Sequence, residues 1–298
     1  MKDDLAGKTV FITGPARGIG AELARVAAAR GARLALAGLE PDRLHALAGA
    51  LGAGHAWFEC DVTDQPSLDR AAAGAVAALG GIDVVVANAG IASNGTVAVT
   101  PVEALARVID VNLTGVLRTV CATLPHVTRR RGYFLLISSA AALAGLPGMA
   151  AYAAAKSGVE QLGNALRLEL AAKGVGVGTA HPCWIDTDLV RDARADFSSF
   201  DAMLRRLPWP LGTVTSVQEC AAALVSAIER RRRRVYVPRS LAVLFALRSL
   251  VTSRAAELIM RRNADELMQG MEAEAGRLGR SFGAHSVEST APPARRAG

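Results

Sequence analysis

Seven short apolar runs, each separated from the next by a longer Ala- and Leu-rich amphipathic stretch, constrain this chain more than any other feature. They are Thr9 to Thr13, Arg33 to Ala37, Ala56 to Cys60, Asp83 to Ala87, Tyr133 to Ser138, Gly176 to Ala180 and Val235 to Val237. A strand with one wet face alternates in polarity; these runs do not, so both faces of their strands must be covered. Strand and helix in succession predict an α/β fold, a doubly wound seven-stranded parallel sheet of the Rossmann type. Right-handed crossovers then place a ligand beyond the carboxyl ends of the strands.

The 298 residues suffice for one large domain, and a hydrophobic content of 51% provides its core. Four cysteines without CxxC spacing predict reduced thiols in a cytoplasmic setting and no structural metal. The N-terminal apolar run is too short for a signal sequence or a spanning helix. The net charge of +7 would suggest nucleic acid, but residues 1–228 balance 20 basic against 20 acidic side chains and the excess sits in 229–298. No nucleic-acid motif accompanies that basic end, so none is expected as a partner.

Chemistry concentrates at two places. The first run leads into Thr13-Gly14-Pro15-Ala16-Arg17-Gly18-Ile19-Gly20 and then a helical stretch, where glycines let backbone approach a pyrophosphate and a helix N-terminus supplies donors. The second place is Ser139, Tyr152 and Lys156. Tyr152 and Lys156 share a helix face at i and i+4, and an ammonium beside a phenol favours the phenolate, moving a poor base toward working pH. Only four of 34 basic residues are lysines and only three residues are tyrosines, which makes the pairing informative.

Taken together these motifs resemble the classical short-chain dehydrogenases/reductases over about residues 5 to 238. The glycine loop matches Thr13 to Gly20, and the Asn-Ala-Gly turn after the fourth strand matches Asn88, Ala89 and Gly90. The acidic residue after the third strand matches Asp61, with Val62 beside it, and the helix asparagine matches Asn112. The resemblance implies that Tyr152 exchanges a proton with the substrate oxygen and Ser139 polarises that oxygen. It also implies that Lys156 binds ribose and lowers the Tyr152 pKa, and that Asn112 positions a water. Cofactor contacts are implied at Gly14, Arg17, Gly18, Ile19, Gly20, Asp61, Val62, Asn88, Ala89, Gly90, Tyr152, Lys156 and Thr187, and substrate contacts at Ser139, Tyr152 and Trp184. The chain departs from the family at Cys183, where Gly often follows Pro.

The implied reaction interconverts a secondary alcohol and a ketone with NAD(P)(H). NADP(H) is the expected carrier, because Gly38 stands where an acidic residue would select NAD, and Arg17 can pair with a 2′-phosphate; Glu40 nearby favours NAD(H) instead. Residues 1–239 are expected to form the catalytic domain, with 186–216 as a substrate lid. Trp184 just before it, with Leu189, Phe197, Phe200, Met203 and Trp209 within it, suggests a hydrophobic alcohol or ketone. A basic helical extension is expected over 240–276 and a disordered tail over 277–298. The segment 230–262 could rest on a membrane surface, but covering the substrate pocket or a subunit contact is the favoured reading. Homodimers or homotetramers are usual among relatives. A catalytically silent NADP-binding sensor or scaffold is one alternative function, and a membrane-surface-associated reductase of lipid-like carbonyls is the other.

Overall fold

The computed structural model describes residues 5–286 apart from 94, 146, 199, 262 and 263. The strands run β1 (Thr9–Thr13), β2 (Arg33–Gly38), β3 (Ala56–Glu59), β4 (Val84–Ala87), β5 (Tyr133–Ile137) and β6 (Gly176–Pro182). They continue with β7 (Trp184–Ile185), β8 (Val214–Thr215) and β9 (Arg234–Val237). Seven form one parallel sheet in the order β3-β2-β1-β4-β5-β6-β9, while β7 and β8 pair separately at the lid. The expected seven strands are present with ends shifted by one or two residues. The largest shift lengthens β6 to Pro182, because Val237 of β9 continues the pairing there.

The non-alternating runs have the predicted consequence. Val10 and Ile12 of β1, Val84 and Val86 of β4, and Leu135 and Ile137 of β5 face one apolar core. The residues between them, Phe11, Val85, Phe134 and Leu136, face the other. Each such side chain contributes roughly 1.5–3 kcal/mol on burial, so a polar replacement on either face is costly.

Two local devices aim the chemistry. The order reverses between β1 and β4, which opens a crevice at their carboxyl ends, where the glycine loop and Asn88 lie. The long helix Ala150–Glu169 lies close to β6 because Gly163 carries no Cβ; one there would come within 2.3 Å of Thr179 Cγ2. That close approach sets how far Tyr152 and Lys156 reach over the crevice.

Candidate active site

The glycine loop is shaped by contacts that exclude side chains. Gly14 and Gly18 adopt φ values of +65° and +55°, the left-handed region that costs glycine least. At Gly20 a Cβ would stand 2.5 Å from the Gly14 carbonyl oxygen and 2.6 Å from Asn88 Nδ2. Asn88 locks the turn by donating to the Thr13 and Gly14 carbonyls, both at 3.0 Å, and Ala89 packs against Gly14. Helix Gly18–Ala29 begins here with no side-chain cap and no acid in its first turn, leaving its N-terminal donors toward the cleft. This cradle of backbone fits a pyrophosphate. The cleft, about 240 Å³, continues past Ile19, Gly90 and Asn112 to Ser139, Tyr152 and Lys156.

At the end of the cleft beside β2, Arg17 forms an ion pair with Glu40 and donates to the His285 carbonyl at 3.0 Å. Asp61 accepts from the backbone nitrogen and hydroxyl of Thr63 at 2.9 and 2.7 Å and lies 3.7 Å from Arg107. Asp61 therefore shapes its own turn as well as lining the cleft. Val62 is buried beside it, packed where a Cβ on Gly115 would come within 2.9 Å.

Lys156 is 3% exposed and donates through Nζ to the Ile137 carbonyl at 2.9 Å; Nζ lies 5.6 Å from the centre of the Tyr152 ring. Burial lowers its pKa to about 8. Burial also raises the Tyr152 pKa, opposed by a hydrogen bond with Ser139. The sequence had predicted that the ammonium moves the phenol toward working pH. Without cofactor, desolvation of the phenolate outweighs that attraction, and the group pulling the other way is Ser139. The Ser139 hydroxyl accepts from the Ala141 nitrogen at 3.1 Å, while Ser138 ties the Lys156 carbonyl at 2.7 Å.

Asn112 lies in a single π-helical turn, Asp110–Thr114, inserted between two α-helices. Its Nδ2 donates to the Ile91 and Val108 carbonyls at 2.7 and 2.8 Å, and its buried Oδ1 has no partner among the described residues. A Cβ on Gly90 would come within 2.7 Å of that oxygen and 3.5 Å of Lys156 Nζ, so glycine keeps both polar atoms clear. An oxygen left over in this way suits a relay toward the ammonium.

Beyond Ser139 and Tyr152 the cleft opens into an apolar cavity of about 480 Å³. Cys183 borders both spaces; its backbone nitrogen donates to the Val237 carbonyl at 2.8 Å, and burial pushes its thiol up to about 11. Thr187 meets the glycine loop, standing 3.4 Å from where a Gly18 Cβ would be. The lid aromatics divide. Phe197 and Phe200 are buried in the lid's own small core with Val190 and Leu204, whereas Trp184, Leu189 and Met203 face the cavity. Trp209 points to solvent, 77% exposed. In the extension, Leu250, Val251 and Ala256 complete the cavity wall, and Arg248 turns inward to buried Glu160 at 2.9 Å. Val243, Leu247 and Leu250 remain exposed.

The tail differs most from expectation. Helix Ala264–Leu278 runs into a segment that folds back over the cleft as far as residue 286; residues 287–298 lie outside the described part. Arg280 pairs with Asp196, Phe282 bridges to Ser93, and both the backbone nitrogen and Nδ1 of His285 reach the Asp192 carboxylate, at 2.9 and 2.6 Å. Asp192 is only 6% exposed, and Gly283 is required beside it, since a Cβ would stand 2.6 Å from Oδ2. His285 and Ser286 thereby become part of the cofactor cleft wall. The Gly- and Ser-rich composition that reads as a mobile tail contains no periodic signal of these distant contacts. Deleting residues 279–298 is expected to weaken cofactor binding about tenfold, the worth of one or two net hydrogen bonds. Titration of tryptophan fluorescence with cofactor measures this; an unchanged dissociation constant would reduce the segment to surface packing.

His181 lies directly behind the site. Its Nδ1 is 3.3 Å from the Ser139 carbonyl and its ring stacks on Tyr236, while burial depresses its pKa to about 4.

Several known proteins are similar to this chain. The family described as short chain dehydrogenase matches residues 8–197. Trans-4-hydroxycyclohexanecarboxylate dehydrogenase of Sinomonas cyclohexanicum is 34% identical over 228 residues, covering 74% of this chain and 85% of that protein. 3beta-hydroxysteroid dehydrogenase 1 of Eggerthella lenta is 34% identical over 231 residues, covering 75% and 87%. The crystal structure of a short-chain type dehydrogenase/reductase from Mycobacterium marinum superposes with a TM-score of 0.69 at 28% identity, covering 76% of this chain and 89% of that one.

Proposed function

Because this chain belongs to the short-chain dehydrogenase/reductase family, we propose that it interconverts a hydrophobic secondary alcohol and its ketone, with Tyr152 as the proton-transfer group. The family acts on hydroxyl-bearing carbons with NAD(P)(H). The observation that carries the finer reading is the meeting of Tyr152 and Ser139 at the junction of the glycine-lined cleft and the apolar cavity.

A nicotinamide held between the glycine loop and Tyr152 would supply the hydride acceptor or donor for the substrate carbon. In the oxidation direction the hydroxyl proton passes to Tyr152 Oη as the carbonyl forms; reduction returns it. The Ser139 hydroxyl donates to the same oxygen and stabilises its developing charge. Lys156 holds positive charge beneath the phenol, and Asn112 Oδ1 offers the polar contact through which the ammonium exchanges protons. Apolar walls at Trp184 and Leu189 keep water from the reacting carbon. Nicotinamide absorbance with a panel of alkan-2-ols and cyclic alcohols tests the assignment. Cofactor binding without turnover of any of them would favour the silent sensor.

NADP(H) is the proposed carrier. No side chain projects from Gly38, and Arg17 exchanges its Glu40 partner for the 2′-phosphate; NAD(H) is the second reading, favoured by the carboxylate of Glu40. Arg17→Ala is expected to raise KM for NADPH about tenfold and leave KM for NADH little changed, since a charge-assisted phosphate contact is lost with one cofactor only. An equal effect on both would reject the role of Arg17.

In this reading residues 1–239 are the catalytic unit, 186–216 its substrate lid and 240–276 an extension that walls the cavity. No helix among the described residues is long and apolar enough to cross a membrane. A cytoplasmic homodimer or homotetramer belongs to the same proposal, and the exposed Val243, Leu247 and Leu250 offer it an apolar face. Contact of 230–262 with a membrane surface competes for that face, and sedimentation with anionic liposomes separates the two.

A further inference from the structure

The cavity beside Ser139 and Tyr152 has one charged side chain on its wall, Arg206; the rest, from Leu143 and Met149 to Leu207, Leu211 and Val251, is apolar apart from the reacting end. Helix Phe200–Arg206 presents Met203, Arg206 and the following Leu207 to the cavity at spacings of three and four, the stripe that faces one way on a helix. Its neighbour Arg205 is not on that wall. Four other arginines around the lid and extension pair with a carboxylate, Arg191 with Asp186, Arg194 with Asp201, Arg248 with Glu160 and Arg280 with Asp196, whereas among the described residues Arg205, Arg254 and Arg277 do not. Arg206 has none among the described residues. It also lies outside residues 8–197, the span that the family model matches.

A guanidinium placed at the mouth of an apolar cavity, with no internal anion, selects what enters. Its planar fork matches a carboxylate with two parallel hydrogen bonds, and its exposed position at the mouth leaves that fork open to an entering anion. We infer that the substrate is a hydroxy or oxo acid: one oxygen meets Ser139 and Tyr152, an apolar body fills the cavity, and a carboxylate meets Arg206. The inference rests on the alcohol–ketone reading of Tyr152 and Ser139, and it adds the anionic end.

The test compares a chain-length series of (ω−1)-hydroxy fatty acids with their methyl esters and with alkan-2-ols of matched length. Binding to the cofactor-loaded enzyme is measured by calorimetry and turnover by nicotinamide absorbance. The acid of best-fitting length is expected to bind about tenfold more tightly than its ester, an advantage that falls with added salt and disappears in Arg206→Gln. A thermal melt verifies that the variant folds, and the ratio of acid to alkan-2-ol affinity is the quantity expected to fall in Arg206→Gln. Equal affinity for acid and ester in the unaltered enzyme, or an acid preference that survives Arg206→Gln, would overturn the inference. Failure of the alcohol–ketone reading is separate: it would show as no turnover of any alcohol, whichever way the binding comparison falls.

Discussion

Tyr152→Phe is expected to lower kcat by about 10²–10⁴, the usual worth of a positioned general acid or base, while leaving cofactor affinity unchanged. Phenylalanine keeps the ring packed on the same helix face, so the lost hydroxyl accounts for the effect rather than a cavity. The pH profile provides the sharper test. Burial raises the phenol's pKa, so oxidation, which needs the phenolate, should accelerate as pH rises toward that raised value, and reduction, which needs the phenol, should slow over the same range. Both slopes should vanish in the variant. Steady-state rates in both directions across pH would measure this, and a variant retaining most turnover, or an unchanged slope, would reject Tyr152 as the proton-transfer group.

Lys156→Met is expected to abolish most turnover and, without cofactor, to make the protein more stable. The ammonium is buried against a single carbonyl acceptor, and its pKa falls from 10.5 to about 8 on folding. The unfolded chain therefore holds that proton more tightly than the folded one. Below about pH 8 both states are protonated and folding bears the full desolvation cost, roughly 3 kcal/mol at 1.36 kcal/mol per unit. The cost is relieved as pH rises from 8 to 10.5, where both states become neutral. Methionine, similar in length and uncharged, should recover a share of it at pH 7. Urea melts of both proteins at pH 7 and pH 10 would show a gain that shrinks with pH; a destabilised variant at pH 7 would mean that Lys156 serves as a structural tie. A residue that costs stability and abolishes turnover on removal is one kept for its chemistry.

Parts of this site are legible along the chain because they are local. A glycine loop leaving a strand, a phenol and an ammonium one turn apart, and a serine at a strand end each need only neighbouring backbone to define their geometry. Their partners are less visible. Nothing near Asn112 predicts that its Oδ1 would be left over at the edge of Gly90 and Lys156, because a π turn and a strand end converge there from different parts of the chain. The lid aromatics look alike in sequence, yet Phe200 became lid core, Trp184 cavity wall and Trp209 exposed surface. Arg248 interrupts an apolar run as a membrane-surface arginine would, and its answer, Glu160, stands 88 residues away.

The sequence by itself determined the class of fold, the tight glycine turn after β1 and the Tyr–Lys spacing, because strand and helix periodicity and glycine's conformational freedom act within a few residues. Only the tertiary structure decided how tightly Lys156 and Tyr152 hold their protons, that the tail closes over the cofactor cleft at Asp192, and that Arg206 faces the cavity. Those outcomes depend on desolvation and on contacts between segments far apart in the chain, and neither leaves a period in the sequence.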